Sequence, residues 1–268
     1  MKTNTFLTAL AVLAVVACNR TTDNSVHQSM YDLNMPIIQT KYTADPAPLV
    51  YNDTLYLYTS HDDDHGENFI MKDWLLYTTT DMVNWQDRGP VASLKDFKWY
   101  RRDNGAWAQQ VVERNGKFYM YCPIHGNGIS VLVADSPYGP FVDPLGTTLV
   151  WQKEHWYDID PTVWIDDDGQ AYMYWGNPNL YYVKLNEDMI SYDGKVHIIE
   201  GVKDFFEAVW VHKRNGIYYL SYSDGPFHGH EPQIAYCTSR SPLGPYTYQG
   251  VILDPVNSGT NHASIVTY

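Results

Sequence analysis

Cysteine is scarce in this chain, three in 268 residues, which excludes a small disulfide-stapled fold. Positive charge is also in short supply. Lysine and arginine total 18 against 31 aspartates and glutamates, a formal charge of −13, so the basic face that nucleic-acid binding requires is missing. Convincing amphipathic helical periodicity is lacking too, and Asn186 to Ser191 reads as at most a turn. One apolar run stands out, Phe6 to Ala17 behind Met1-Lys2. It is too short to span a bilayer comfortably and lies where a signal peptide lies.

That run ends Val15-Val16-Ala17-Cys18, which is similar to a bacterial lipoprotein cleavage box with Cys18 as the lipidated residue. An ordinary signal peptide with a chance cysteine is the other reading. Residues 1–18 are thus expected to be a lipoprotein-type signal, 19–40 a polar tether and lead-in, and 41–268 the folded domain. No second run approaches transmembrane length, so membrane association would pass through the lipid alone. The expectation is an exported, monomeric lipoprotein of the bacterial cell envelope. Cys122 and Cys237 fall in different repeats and are expected to be two buried thiols.

What the chain has in abundance is tyrosine, 23 residues, with 9 tryptophans. Many of them recur in one pattern, a tight turn followed by an alternating aromatic strand: Asn52-Asp53-Thr54-Leu55-Tyr56, Asn115-Gly116-Lys117-Phe118-Tyr119, Asp168-Gly169-Gln170-Ala171-Tyr172 and Asn215-Gly216-Ile217-Tyr218. Asn-Gly and Asp-Gly are strong hairpin signals. Tyr56, Tyr119, Tyr172 and Tyr218 lie 63, 53 and 46 residues apart, a spacing that suits propeller blades. Third strands follow at Leu76–Asp81, Leu132–Ser136 and Ile234–Thr238, each leading to a turn and an aromatic plug. The fold class is all-β, a β-propeller with four blades visible. Gly259-Thr260-Asn261-His262 opens what should be a fifth, which the chain leaves incomplete at Tyr268, and a truncated fifth blade is expected because unpaired strand edges are rarely tolerated.

Three acids occupy distinctive settings: Asp45 in Thr43-Ala44-Asp45-Pro46, Asp160 in Ile159-Asp160-Pro161-Thr162, and Glu207 in Phe205-Phe206-Glu207-Ala208. Each opens a different repeat, and repeats around an axis bring equivalent positions together. Asp-Pro pairs are common turn formers, but a glutamate among phenylalanines is costly to bury unless used or paired. Three carboxylates converging on one pocket are the equipment of a glycoside hydrolase, where one protonates a leaving oxygen while another stays ionised to activate water. Trp107, opening the second repeat, is expected to line that pocket, where a flat ring can pack against a sugar face. Asn177 ends a third-repeat strand and reaches toward a hydroxyl. The run His61-Asp62-Asp63-Asp64-His65 suggests a rim loop touching sugar, mostly through His61 or Asp62.

From Lys41 onward these motifs resemble glycoside hydrolase family 43. The parts that carry the resemblance are Tyr42-Thr43-Ala44-Asp45-Pro46, Asp158-Ile159-Asp160-Pro161, Phe206-Glu207-Ala208 and Thr260-Asn261-His262. It implies a five-bladed propeller that removes arabinofuranose or xylose from plant polysaccharides by inversion. Asp45 would be the general base, Glu207 the general acid and Asp160 the residue that tunes the acid. His262 matches a histidine in the central channel, which implies a structural calcium beside it with a mostly water shell; no cofactor is required for the chemistry. Gln109 and Val209 stand where the family commonly has proline, and the arginine of the fifth blade has no counterpart here. An endo-arabinanase and a non-catalytic glycan-binding lipoprotein are the alternatives. A retaining fructan hydrolase would place its first acid in Asn-Asp-Pro, and Ala44-Asp45-Pro46 argues against it.

Overall fold

The structure is a computed structural model that describes residues 36–153, 157–225 and 229–268. Cys18 and the apolar run around it lie outside the described residues. Contacts divide the chain into Met1–Gln39 and Thr40–Tyr268, and every strand among the described residues belongs to the second unit. Among the described residues no helix is long and apolar enough to cross a membrane.

Four antiparallel sheets follow one another along the chain. The first contains β1 (Thr43–Tyr51), β2 (Thr54–Asp62), β3 (Met71–Thr79) and β4 (Gln86–Ser93). The second contains β5 (Gln110–Arg114), β6 (Lys117–Pro123) and β7 (Ile129–Ala134), the third β8 (Thr162–Ile165), β9 (Ala171–Trp175), β10 (Tyr181–Leu185) and β11 (Tyr192–Ile198). The fourth contains β12 (Glu207–Arg214), β13 (Ile217–Ser223), β14 (Ile234–Ser239) and β15 (Thr247–Leu253). Each sheet is a meander, because the turn chemistry favours hairpins. Asn52-Asp53, Asn115-Gly116 and Asn215-Gly216 all take positive φ at both positions, the requirement of the two-residue turns whose twist matches paired strands. These are the blades of a β-propeller.

Contacts between sheets run mainly through the first strands, β1 with β5, β5 with β8 and β8 with β12, so these strands surround the axis. Ile265, Val266 and Thr267 join them there, held where Trp210 Nε1 donates to the Ile265 carbonyl at 2.8 Å. Apolar layers fill the spaces between neighbouring sheets. One packs Tyr58, Trp74 and Leu76 against Phe118, Met120 and Leu132; the next two join the second sheet to the third and the third to the fourth. Cys122 and Cys237 are buried thiols in different layers.

A repeated clasp crosses these layers. The hydroxyls of Tyr58, Tyr121 and Tyr174, each on the second strand of its sheet, donate to the carbonyls of Pro137, Met189 and Pro242 in the loop after the third strand of the next sheet at 2.6, 2.8 and 2.9 Å. The fourth sheet departs from the tyrosine alignment expected from sequence. Tyr56 and Tyr119 lie two residues past the first pair of their hairpins, and in β13 that position belongs to Tyr219. Tyr218 faces back into the layer shared with the third sheet. A one-residue offset flips a strand side chain to the other face, and spacing between tyrosines cannot register that.

Candidate active site

The three acids lie where the first strands of their blades begin, and the backbone is bent at each. Asp45, Asp160 and Ala208 have φ of 51°, 55° and 57°, left-handed values that are uncommon outside glycine and cluster at functional sites. Pairing of β1 with β2 shifts between Ala44 and Ala47, and pairing of β12 with β13 shifts between Glu207 and Trp210. Bulges of this kind re-aim side chains. In the first and third blades the bent residue itself carries the carboxylate; in the fourth the acid is the residue before it.

The result is one pocket of about 490 Å³ lined by Asp45, Asp160, Glu207, Trp107, Asn177 and His262, together with Asp62, Phe69 and Asn261. Six of the seven side chains expected at the catalytic, sugar or metal positions therefore meet in it, and all four blades contribute. His61 does not. Its Nδ1 lies 2.7 Å from Asp73 Oδ1, and the pocket wall is formed by Asp62 because neighbouring side chains on a strand point to opposite faces.

Each acid has its own partners. Ser60, fully buried on β2, donates to Asp45 Oδ2 at 2.6 Å, and His262 Nδ1 lies 3.2 Å from Oδ1. Burial works to raise the Asp45 carboxyl, yet the hydrogen bond and charge of His262 and the Ser60 hydroxyl prevail and hold it below the ordinary carboxylate range. Glu207 goes the other way. Burial first, then the Asp160 carboxylate, push it up to about 8, against the opposing pull of Asn177, whose Nδ2 donates to Glu207 Oε2 at 2.7 Å. Asn177 thus grips the acid. It is delivered there by Gly176, where an added Cβ would stand 2.2 Å from the Asn179 carbonyl.

Asp160 is 7% exposed and accepts the Ala208 N–H on Oδ2 at 3.0 Å, which ties the third blade to the strand that carries Glu207. Burial pushes its carboxyl up to about 6, with Asp45 adding to the rise and His262 opposing it. Trp107 is fixed from behind: it stacks on His125 with ring centroids 3.6 Å apart, and its carbonyl accepts Trp74 Nε1 at 2.7 Å. Burial, aided by Arg102, holds His125 down at about 4, so it stacks as a neutral ring at neutral pH.

A calcium beside His262, as the resemblance implies, would be held mostly by water rather than by side chains. Burial alone would lower the imidazole, but Asp45, Asp160 and Glu207 lift it to about 9, and a protonated imidazole donates rather than ligates. Among the described residues no three His, Cys, Asp or Glu side chains converge as a metal group, whereas calcium takes six to eight oxygens. The chemistry of the pocket needs no metal, since its acids already differ in protonation.

Sequence reasoning left out Ser60, Phe69 and Asn261. Ser60 was within reach of the reasoning that found Asp62, because residues two apart on a strand share a face. Phe69 lies in an aperiodic turn and gave no signal.

The sequence profile of glycosyl hydrolases family 43 matches residues 33–267. A xylosidase/arabinosidase of Bacteroides ovatus is 36% identical over 280 residues, covering 85% of this chain and 83% of the relative. An α-L-arabinofuranosidase structure from Clostridium thermocellum ATCC 27405 is 41% identical, with a TM-score of 0.73 over 87% of this chain and 81% of that one. A family 43 β-xylosidase/α-arabinofuranosidase from a compost microbial metagenome, solved with xylotriose in a calcium-free form, is 33% identical. Its TM-score is 0.76 over 87% of this chain and 84% of its own. Matched along nearly all of its described length and similar to these proteins in both sequence and fold, the chain belongs to glycosyl hydrolases family 43.

Proposed function

We propose that the protein is an inverting, exo-acting glycosidase that removes terminal α-L-arabinofuranosyl or β-D-xylosyl units from arabinoxylan or xylan oligosaccharides. The observation that carries this reading is the opposite tuning of two carboxyls in one pocket, Asp45 held low and Glu207 raised to about 8. At neutral pH one is ionised and the other protonated, the pairing that hydrolysis by two carboxyls requires, and inversion is what the family likeness implies. Family membership and the named activities of the similar proteins support the substrate class.

In this account Asp45, its two oxygens held by Ser60 and His262, takes a proton from water as that water attacks the anomeric carbon. The glycosidic C–O bond breaks on the other face, and Glu207 gives its proton to the departing oxygen. Such carboxyls stand about 6.5–9.5 Å apart, which leaves room for the water. Asp160 keeps Glu207 protonated by its charge, Asn177 fixes the acid's orientation, and Trp107 offers a flat face to the sugar. The segment bearing Thr260, Asn261 and His262 is assigned as the inner strand of a fifth blade, a reading supported by its place beside β12 and β1. Export and lipid attachment at Cys18 complete the reading on sequence grounds.

Chromatography of the products from xylobiose, xylotriose and arabinoxylan oligosaccharides tests it. The expected products are free pentose and an oligosaccharide one unit shorter, with Glu207→Gln releasing neither. Cleavage in the middle of the chain, or undiminished release by the variant, would contradict it.

A further inference from the structure

The turn from β6 to β7, Ile124-His125-Gly126-Asn127-Gly128, takes no part in the chemistry above, yet its backbone is tied in place. Ile124 N donates to the Gly128 carbonyl at 2.8 Å and Asn127 N to the Ile124 carbonyl at 2.7 Å. The Asn127 side chain donates to the His125 carbonyl at 3.2 Å. Gly126 and Gly128 take φ of 75° and 81°, values that glycine adopts without strain. At Gly128 an added Cβ would also stand 2.2 Å from the Val150 carbonyl. The shape held in this way carries His125 to the back of Trp107.

Trp107 has little else to set its angle. Its indole Nε1 is buried and finds no acceptor among the described residues, so no hydrogen bond of the ring fixes its rotation. Phe69 stands beside it, but tilted by 57° at a centroid distance of 6.1 Å. The parallel partner is His125, 3.6 Å away with 20° between the planes. One carbonyl registers the pair, since Gly105 O accepts Trp107 N at 3.0 Å and His125 N at 3.1 Å. Gly105 has φ of 118°, and a Cβ there would meet His125 N at 3.2 Å and His125 Cβ at 3.3 Å, so the close approach of the two segments requires glycine. Burial and Arg102 keep the imidazole neutral at neutral pH.

Trp107 lines the pocket and His125 does not. With one indole face covered by His125, the opposite face is the one a sugar meets. We propose that His125 is a positioning residue for substrate binding, its ring setting the angle at which Trp107 presents that face. This rests on the exo-glycosidase reading above, in which Trp107 is the flat surface under the sugar. A ring ordered before the ligand arrives spares the conformational cost that weakens flexible sites.

A double-mutant cycle tests it, with kcat and KM measured on xylobiose at neutral pH and the xylobiose Kd measured by calorimetry in Glu207→Gln protein. His125→Ala should raise KM and Kd about three- to tenfold, the scale of one aromatic pair. The value of kcat should change by less than about twofold, because a platform under the sugar throughout the reaction contributes uniform binding. In a Trp107→Ala background the same substitution should change neither KM nor Kd, since residues that act through one another are not additive. His125→Phe, which keeps a flat ring, should remain close to wild type, while His125→Asn, which keeps a polar side chain without the ring, should behave as His125→Ala. An unchanged KM and Kd in His125→Ala, or a loss that persists without Trp107, overturns the positioning role. So does a His125→Phe protein as weak as His125→Asn, and this pair decides the matter if the alanine variant does not fold. Wild-type protein that binds xylobiose without hydrolysing it overturns the glycosidase reading, and the calorimetric Kd then decides the positioning role alone. Neither binding nor hydrolysis overturns both.

Discussion

Replacing Asp160 with asparagine should move the alkaline limb of activity downward, and the size of the move follows from what raises Glu207. That carboxyl stands at about 8 rather than 4.5, with burial as the largest cause and the Asp160 charge second. Asp160→Asn deletes the charge, keeps an oxygen for the Ala208 N–H, and leaves burial untouched. The greater part of the rise therefore remains. A like charge at short range is worth about one pKa unit or more, so the acid should fall to roughly 7, a change of about 1.4 kcal/mol in its protonation equilibrium.

The sign is fixed by the role: a general acid works protonated, so activity is present below its pKa and is lost as pH rises through it. At pH 8 the protonated fraction should drop from about one half to about one tenth. The assay is kcat/KM for xylobiose between pH 5 and 10, for wild type and variant. An alkaline limb that stays at about 8 or moves upward would refute the idea that Asp160 tunes Glu207. An unsubstituted sugar leaving group matters here, since it needs the proton that a fluoride does not.

Ser60→Ala removes a donor to the Asp45 carboxylate, so the acid limb of the kcat/KM profile should move upward by less than about one unit; an acid limb that falls or stays fixed contradicts a hydrogen-bonded base. Tyr121→Phe leaves the Met189 carbonyl without the clasp between the second and third sheets, and urea unfolding should show a loss of about 1 kcal/mol. A loss indistinguishable from zero would show that the clasp holds nothing. Labelled palmitate should enter the wild-type protein in a bacterial host and be absent from Cys18→Ser, while equal labelling removes the lipid anchor at that residue.

The acids were legible in the sequence because each stands in its own local motif, and the motifs repeat with the hairpins. Asn-Gly and Asn-Asp dictate a backbone shape locally, so they announce turns without help from the rest of the chain. Parity along a strand is different. His61 and Asp62 differ only in which face they take, and that is set by the pairing of β2 with β1 and β3, which no local pattern records. The same ambiguity displaced Tyr218 from its expected counterpart, since the face was decided by the hairpin turn before it. Phe69 escaped for another reason: it lies in a turn without periodicity, and only the folded chain sets it beside Trp107. His262 could be matched by resemblance, but its pairing with Asp45 spans 217 positions, and the charge it acquires from three carboxylates is a product of the assembled pocket.

The central claim is that Asp45 activates water while Glu207 protonates the leaving sugar on the opposite face. Time-resolved proton NMR of the first product released from β-1,4-xylobiose and from arabinoxylan oligosaccharides tests it most directly. The account predicts that the sugar first appears with the anomeric configuration opposite to that of the bond cleaved, and that Glu207→Gln gives no such signal. A first product that keeps the substrate's configuration would contradict it.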